Sequence, residues 1–116
     1  MKSLEHREKN NILFDLYSEL LPQKKKNYFE DYYINDYSIC EIAEKRKVTR
    51  QFVSLMINAA VKKLAYYEKK LGFQSKSEDI KKEIEVIYKE LDKVRIGEKE
   101  KRKIKSLFEK IEKIIF

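Results

Sequence analysis

Residues 38–72 read SICEIAEKRKVTRQFVSLMINAAVKKLAYYEKKLG and carry the clearest structural signal in the chain. Ser38 stands three residues before Glu41. At that spacing a cap hydroxyl takes the N3 amide, and the N3 carboxylate reaches back to the cap's own amide. A helix is therefore predicted from Ile39 through Ile42 and Ala43 to about Arg46. Lys47 and Val48 form a turn, and Thr49 is the cap of a second helix running from Arg50 to about Leu71. Gly72 is placed as its C′ residue. A short capped helix, a turn of about three residues and a second capped helix make a helix-turn-helix. Ala43 is small where the two helices cross, and Ile39, Ile42, Val48 and Val53 hold the pair at its angle. Two positions depart from the usual pattern. Lys47 stands where glycine commonly turns the chain, at a cost of roughly 1–2 kcal/mol in left-handed geometry. Arg46 stands where an apolar residue commonly packs.

The second helix points to a function. Near its start it presents Arg50, Gln51, Ser54, Leu55 and Asn58. Arginine pairs with guanine edges in a major groove, and asparagine or glutamine with adenine edges. The amides at the helix start can hold a phosphate. Lys45, Arg46 and Lys47 flank the turn and Lys62 and Lys63 lie further along; all five are candidates for backbone phosphates, which set docking register. The nucleic-acid-binding set is thus Thr49, Arg50, Gln51, Ser54, Asn58, Lys45, Arg46, Lys47, Lys62 and Lys63. The alternative is a helix used mainly for packing, because Phe52 to Val61 is apolar apart from Ser54 and Asn58.

Charge agrees with the first reading. The chain has 116 residues and a formal net charge of +7. Residues 38–73 hold eight Lys/Arg against three Asp/Glu, whereas residues 1–37 hold six against seven. Residues 74–116 hold thirteen against ten, the mixed-sign pattern of a solvated helix face. A basic middle segment concentrates near a polyanion by counterion release; solubility alone is the competing explanation.

The flanks read as helices too. A first helix is predicted from about Ser3 to Leu20, with Leu13, Leu16, Tyr17 and Leu20 on one stripe and Ile12 beside it. Pro22 opens the next helix, which carries Tyr28, Phe29, Tyr32 and Tyr33 on one face as core rather than as a base-stacking platform. Asn35 and Asp36 make a turn. The run Lys24 to Lys26 reads as solvated surface, with a phosphate-contact role as the lesser alternative. Beyond Gly72, Ile80, Ile84, Ile87, Leu91 and Val94 form a heptad seam, Gly97 breaks the chain, and Ile104, Leu107 or Phe108, Ile111 and Ile114 or Ile115 form another stripe. Together these are an αα-hairpin. The fold class is all-α: a helix-turn-helix bundle over residues 1–73 and a helical hairpin over 74–116. Val86, Tyr88 and Phe108 give the hairpin a second apolar flank, so a homodimer using the C-terminal helices is expected; the alternatives are a monomer with the hairpin folded onto the first domain and, for function, a purely structural oligomerisation module.

Other functions find little support. Two glycines and one proline are too few for an all-β sandwich or barrel. No run of about 18 apolar residues is present for a membrane span, and MKSLEHREKNN lacks the apolar core of a signal peptide. The lone Cys40 forms no internal disulfide, which fits a reducing cytoplasm. His6 and Cys40 do not make a zinc site, and no spacing pairs a nucleophile with a base. No catalysis, cofactor, metal or small-molecule substrate is expected.

The string LFDLYSELLPQKKKNYFEDYYINDYSICEIAEKRKVTRQFVSLMINAAVKKLAYYEKKLGF, residues 13–73, resembles the YlxM-like family. The specific part is NYFEDYY followed at fixed distance by SICEIAEKRKVTRQFV. These are small helix-turn-helix proteins whose DNA-binding-like part is similar to region 4 of sigma factors, and whose genes commonly neighbour those of the signal recognition particle GTPase and its receptor. The resemblance implies a cytoplasmic, all-α protein with a regulatory role in the signal recognition particle pathway. It places the reading helix at Arg50, Gln51, Ser54 and Asn58, with DNA, or the signal recognition particle RNA or GTPase, as partner. The family usually carries charged or polar residues where this chain has Leu55 and Met56.

Overall fold

The structure is a computed structural model that describes residues 4–116. Residues 1–3, with the expected first helical residue Ser3, lie outside the described residues. The fold is all-α: α1 spans Leu4–Tyr17, α2 Gln23–Phe29, α3 Ile39–Arg46, α4 Arg50–Leu71, α5 Phe73–Lys93 and α6 Glu98–Ile115. A single 3₁₀ turn, Ser18–Leu20, follows α1, and a π-helical turn, Glu30–Ile34, continues α2. The chain divides into two compact units, Met1–Gly72 and Phe73–Phe116.

In the first unit α4 is the axis against which α1, α2 and α3 pack. Phe29, Ile42, Val53, Ala60 and Leu64 have no exposed surface, and Tyr17 is 1% exposed. Full burial of such side chains contributes roughly 1.5–3 kcal/mol each. The aromatic face expected on the second helix is core: Tyr28, Phe29 and Tyr33 are buried and Tyr32 partly so. Phe29 stacks between Phe14, at 4.4 Å, and Tyr33, at 4.6 Å.

The stripe expected on the first helix needs correction. Asn10, Leu13, Phe14 and Tyr17 face the core, joined by Leu21, whereas Ile12, Leu16 and Leu20 are exposed. Within α1 the helical phase puts Asn10, Leu13, Phe14 and Tyr17 on one face and Leu16 beside it, and past Tyr17 the tighter 3₁₀ turn brings Leu21 rather than Leu20 to the core. Two polar contacts fasten this end to α4. The Tyr17 hydroxyl donates to Glu68 Oε1 at 2.7 Å, and the Tyr67 hydroxyl donates to the Leu20 carbonyl at 2.9 Å. At the other end of α1, Asn10 Nδ2 donates to the Tyr33 hydroxyl at 3.1 Å, and Arg7 donates to the Tyr33 carbonyl at 3.1 Å.

The second unit is a hairpin of α5 and α6. Of its heptad seam, Ile84 and Leu91 are buried, while Ile80, Ile87 and Val94 are exposed, as are Leu107 and Ile111 of α6. Between the helices the Tyr88 hydroxyl donates to Glu112 Oε1 at 2.8 Å, the Tyr88 ring meets Phe108 edge-on, and Lys105 pairs with Asp92 at 3.0 Å. Gly97 is the N-cap of α6, with an ordinary negative φ of −64°.

Candidate nucleic-acid interface

The two helices of the motif are fixed by their ends. Glu41 N donates to Ser38 Oγ and Ser38 N to Glu41 Oε1, both at 3.0 Å, which completes a capping box at the start of α3. Lys47 terminates α3 in left-handed geometry, with φ 56° and ψ 49°, and its amide returns to the carbonyls of Ala43 and Glu44. The chain thus turns through Lys47 as it would through glycine. Thr49 then caps α4, its Oγ1 accepting from Phe52 N at 3.1 Å. At the far end Gly72 has φ 66°, and its amide donates to the Glu68 carbonyl at 2.7 Å.

Packing of the apolar residues decides which side of α4 meets solvent. Val53, Met56, Ile57, Ala60 and Leu64 are buried. Arg50, Gln51, Leu55, Asn58, Lys62 and Lys63 are exposed, and Ser54 is half-buried. The apolar run Phe52 to Val61 is therefore mostly core, and it leaves a polar outer face apart from Leu55, which is 63% exposed. Met56 belongs to the core, so only Leu55 of the two departures from the family pattern faces out. At about 100° per residue, Gln51, Leu55, Asn58 and Lys62 share one stripe. Lys63 lies on a flank, its Nζ 5.9 Å from the Tyr67 ring centre. Ser54 and Asn58 also line a cleft of about 320 Å³ with His6, Tyr32, Tyr33 and Ile39.

The cations before the turn are placed differently. Asp31, in the π-helical turn, is 3% exposed. Its carboxylate accepts from Arg46 Nε at 2.6 Å and from Lys45 Nζ at 3.2 Å. Burial pushes this carboxyl up, but the hydrogen bonds and charges of Arg46 and Lys45 outweigh burial and hold it below the ordinary carboxylate value. The Arg46 guanidinium also lies 5.0 Å from the Tyr28 ring centre, and Lys45 Nζ lies 4.9 Å from that of Tyr37. Arg46 thus fills its usually apolar position with its planar face and spends its charge on Asp31. Lys47, free of such a tie, is exposed beside Thr49 and Arg50.

One cation comes to this region from the run that reads in the sequence mainly as solvated surface. Lys24 Nζ, at the start of α2, lies 5.1 Å from the Phe52 ring centre. Lys24 therefore borders the first turn of α4. Its only signal in the sequence was charge, and nothing in the spacing joins position 24 to position 52. Among the described residues no cluster of three metal-ligating side chains occurs, and no helix is long and apolar enough to cross a membrane.

A family model described as "Putative helix-turn-helix protein, YlxM / p13 like" matches residues 4–113, nearly the whole chain. The chain belongs to the YlxM family. The family's Bacillus subtilis protein YlxM is 38% identical over 112 residues, which cover 97% of this chain and 98% of that protein. A Listeria innocua member is 41% identical over 83 residues, 72% of this chain and 76% of its own length. A Caldanaerobacter subterraneus member is 42% identical over 76 residues, 66% and 65% of the two chains. YlxM-family similarity thus runs through both units, hairpin included.

Proposed function

We propose that this protein is a DNA-binding regulator that acts in the cytoplasm by binding rather than catalysis. Residues 1–73 carry the nucleic-acid contacts and residues 74–116 the self-association. The observation that carries the reading is the fixed outer face of α4. A capped helix, anchored through five buried side chains, holds Arg50, Gln51, Asn58 and Lys62 in solvent. That is the arrangement a recognition helix needs to enter a major groove. Lys47, Lys62 and Lys63 serve the phosphates, Thr49 and the first amides of α4 add a neutral phosphate contact, and Ser54 reaches the groove from the edge. Lys45 and Arg46 contribute only by sharing Asp31. The test is the triple variant Arg50→Ala, Lys62→Ala, Lys63→Ala. Duplex affinity should fall, and the slope of log affinity against log salt should flatten by up to about three. An unchanged affinity and slope reject the reading.

A second reading draws on Leu55, an aliphatic side chain 63% exposed on α4 where the family usually carries a charged or polar one. Here the protein is an accessory factor of the signal recognition particle, and its basic face binds that particle's RNA or GTPase. Competition between the particle and a duplex pool at one salt concentration separates the two. The homodimer is supported by Ile87, Val94, Leu107, Ile111 and Phe116, all exposed on the hairpin. Sedimentation equilibrium of the full chain tests it, and a monomer at high micromolar concentration rejects it.

A further inference from the structure

If α4 is a groove-reading helix, its outer stripe has a composition that selects among base pairs. Four exposed side chains, Gln51, Leu55, Asn58 and Lys62, lie within about 60° of one another around the helix axis. In order they are an amide, an aliphatic, an amide and an ammonium. A side-chain amide pairs bidentately with the N6 and N7 atoms of adenine, and an aliphatic group fits the C5-methyl of thymine. Guanine is read by a guanidinium or an ammonium. Lys62, the ammonium of the stripe, stands about three turns into α4, past the N-terminal residues of a recognition helix that meet base edges, and is left to the phosphates. The one guanidinium near the start of α4, Arg50, is off the stripe by about 100° from Gln51. It borders the surface depression lined by Cys40, Glu41, Glu44, Val48 and Thr49.

Spacing agrees with chemistry. Gln51 to Asn58 is seven residues, a rise of about 10 Å along the helix axis, enough for the two amides to meet different base pairs. Leu55 falls between the two amides. It is 63% exposed; of its helix-surface neighbours Gln51 and Asn58 are exposed amides while Phe52 and Ala59 are partly buried, so Leu55 is the one large aliphatic side chain exposed on this stretch of α4. An apolar docking patch for a protein is broader than this. We propose that the face is specific for A·T-rich duplex DNA, with Leu55 seated against a thymine methyl and Gln51 and Asn58 paired with flanking adenines.

This inference rests on the groove-reading function, and the test separates the two. The full chain is used to select duplexes from a random pool at fixed salt. The expected winners share a run of three or four A·T pairs. In the winning duplex each thymine is then replaced in turn by deoxyuridine, which removes only the methyl group. At one position affinity should fall about fourfold, the worth of one buried methyl. Leu55→Ala, an exposed change to a better helix former, should bind the thymine and uracil duplexes equally and leave the thermal midpoint unmoved. Selection of G·C-rich duplexes, or equal affinity for thymine and uracil everywhere, overturns the inference and leaves the DNA-binding function standing. No enrichment over the random pool overturns both. If Leu55→Ala leaves duplex binding intact but abolishes capture of the signal recognition particle, the face is a protein or RNA contact and the inference falls.

Discussion

Lys47 has a backbone that glycine adopts without cost, yet it carries a side chain exposed to solvent. Lys47→Gly should therefore be neutral or stabilising by up to about 1 kcal/mol, read from urea unfolding. A clear loss would mean that the lysine side chain contributes more than its strain costs. Asp31 presents the opposite case, a residue whose charge is needed. Asp31→Asn leaves Arg46 and Lys45 without their counter-charge and should cost about 2 kcal/mol near neutral pH, discounted because both cations are partly wet. The sign with pH comes from a carboxyl held below its ordinary value of 3.8. Its stabilisation is complete above that value and is lost as pH falls through the lower, folded-state value. Stability curves of the wild type and Asp31→Asn should converge in strong acid, separate as pH rises towards 3.8, and keep a constant gap above it. A constant gap down to acid would mean that ionisation is not the source. Arg46 was visible in the sequence as a misplaced charge. Its partner was not, because Asp31 lies fifteen residues upstream in a run read as an aromatic face.

At the scale of elements, the helix ends were the most legible part. Ser38, Glu41, Thr49 and Gly72 announce themselves because capping chemistry is local and needs only three or four residues. Removing one of these signals tests how much it fixes. Thr49→Ala should cost about 1 kcal/mol, measured by thermal or urea unfolding, because Phe52 N loses its acceptor. An effect below about 0.2 kcal/mol would show that water replaces the hydroxyl fully. The widened turn at Glu30–Ile34 was not legible. Apolar spacing at i, i+1, i+4 and i+5 suits an ordinary helix equally well, and the choice is made by tertiary demands. There the Asn35 amide reaches back five residues to the Glu30 carbonyl at 2.8 Å, and Asp31 faces Arg46 and Lys45. The outer face of α4 was half legible. Gln51, Leu55 and Asn58 were read as facing outward and are exposed, but how much of the apolar run Phe52 to Val61 is core depended on the phase of the buried stripe. That phase emerges only when Val53, Met56, Ile57, Ala60 and Leu64 are packed together.

For the whole molecule, the two units differ sharply in how much they bury. The first has an aromatic and aliphatic core spread over four helices; in the second only Ile84 and Leu91 are buried. A two-helix unit with so thin a core is marginal without further burial. Calorimetry of the full chain should resolve two transitions, the hairpin melting first. If the hairpin pairs with a second copy, its transition alone should move up with protein concentration. One cooperative, concentration-independent transition would show that the units unfold together and that the hairpin needs no partner. The thin hairpin core also bears on how long each molecule survives in a cell. Proteases begin where a chain opens most readily, and open segments are drawn from the least stable unit. A hairpin sheltered by another molecule would be cleared slowly and an unsheltered one quickly, so turnover would hold the protein's abundance to the number of partners available.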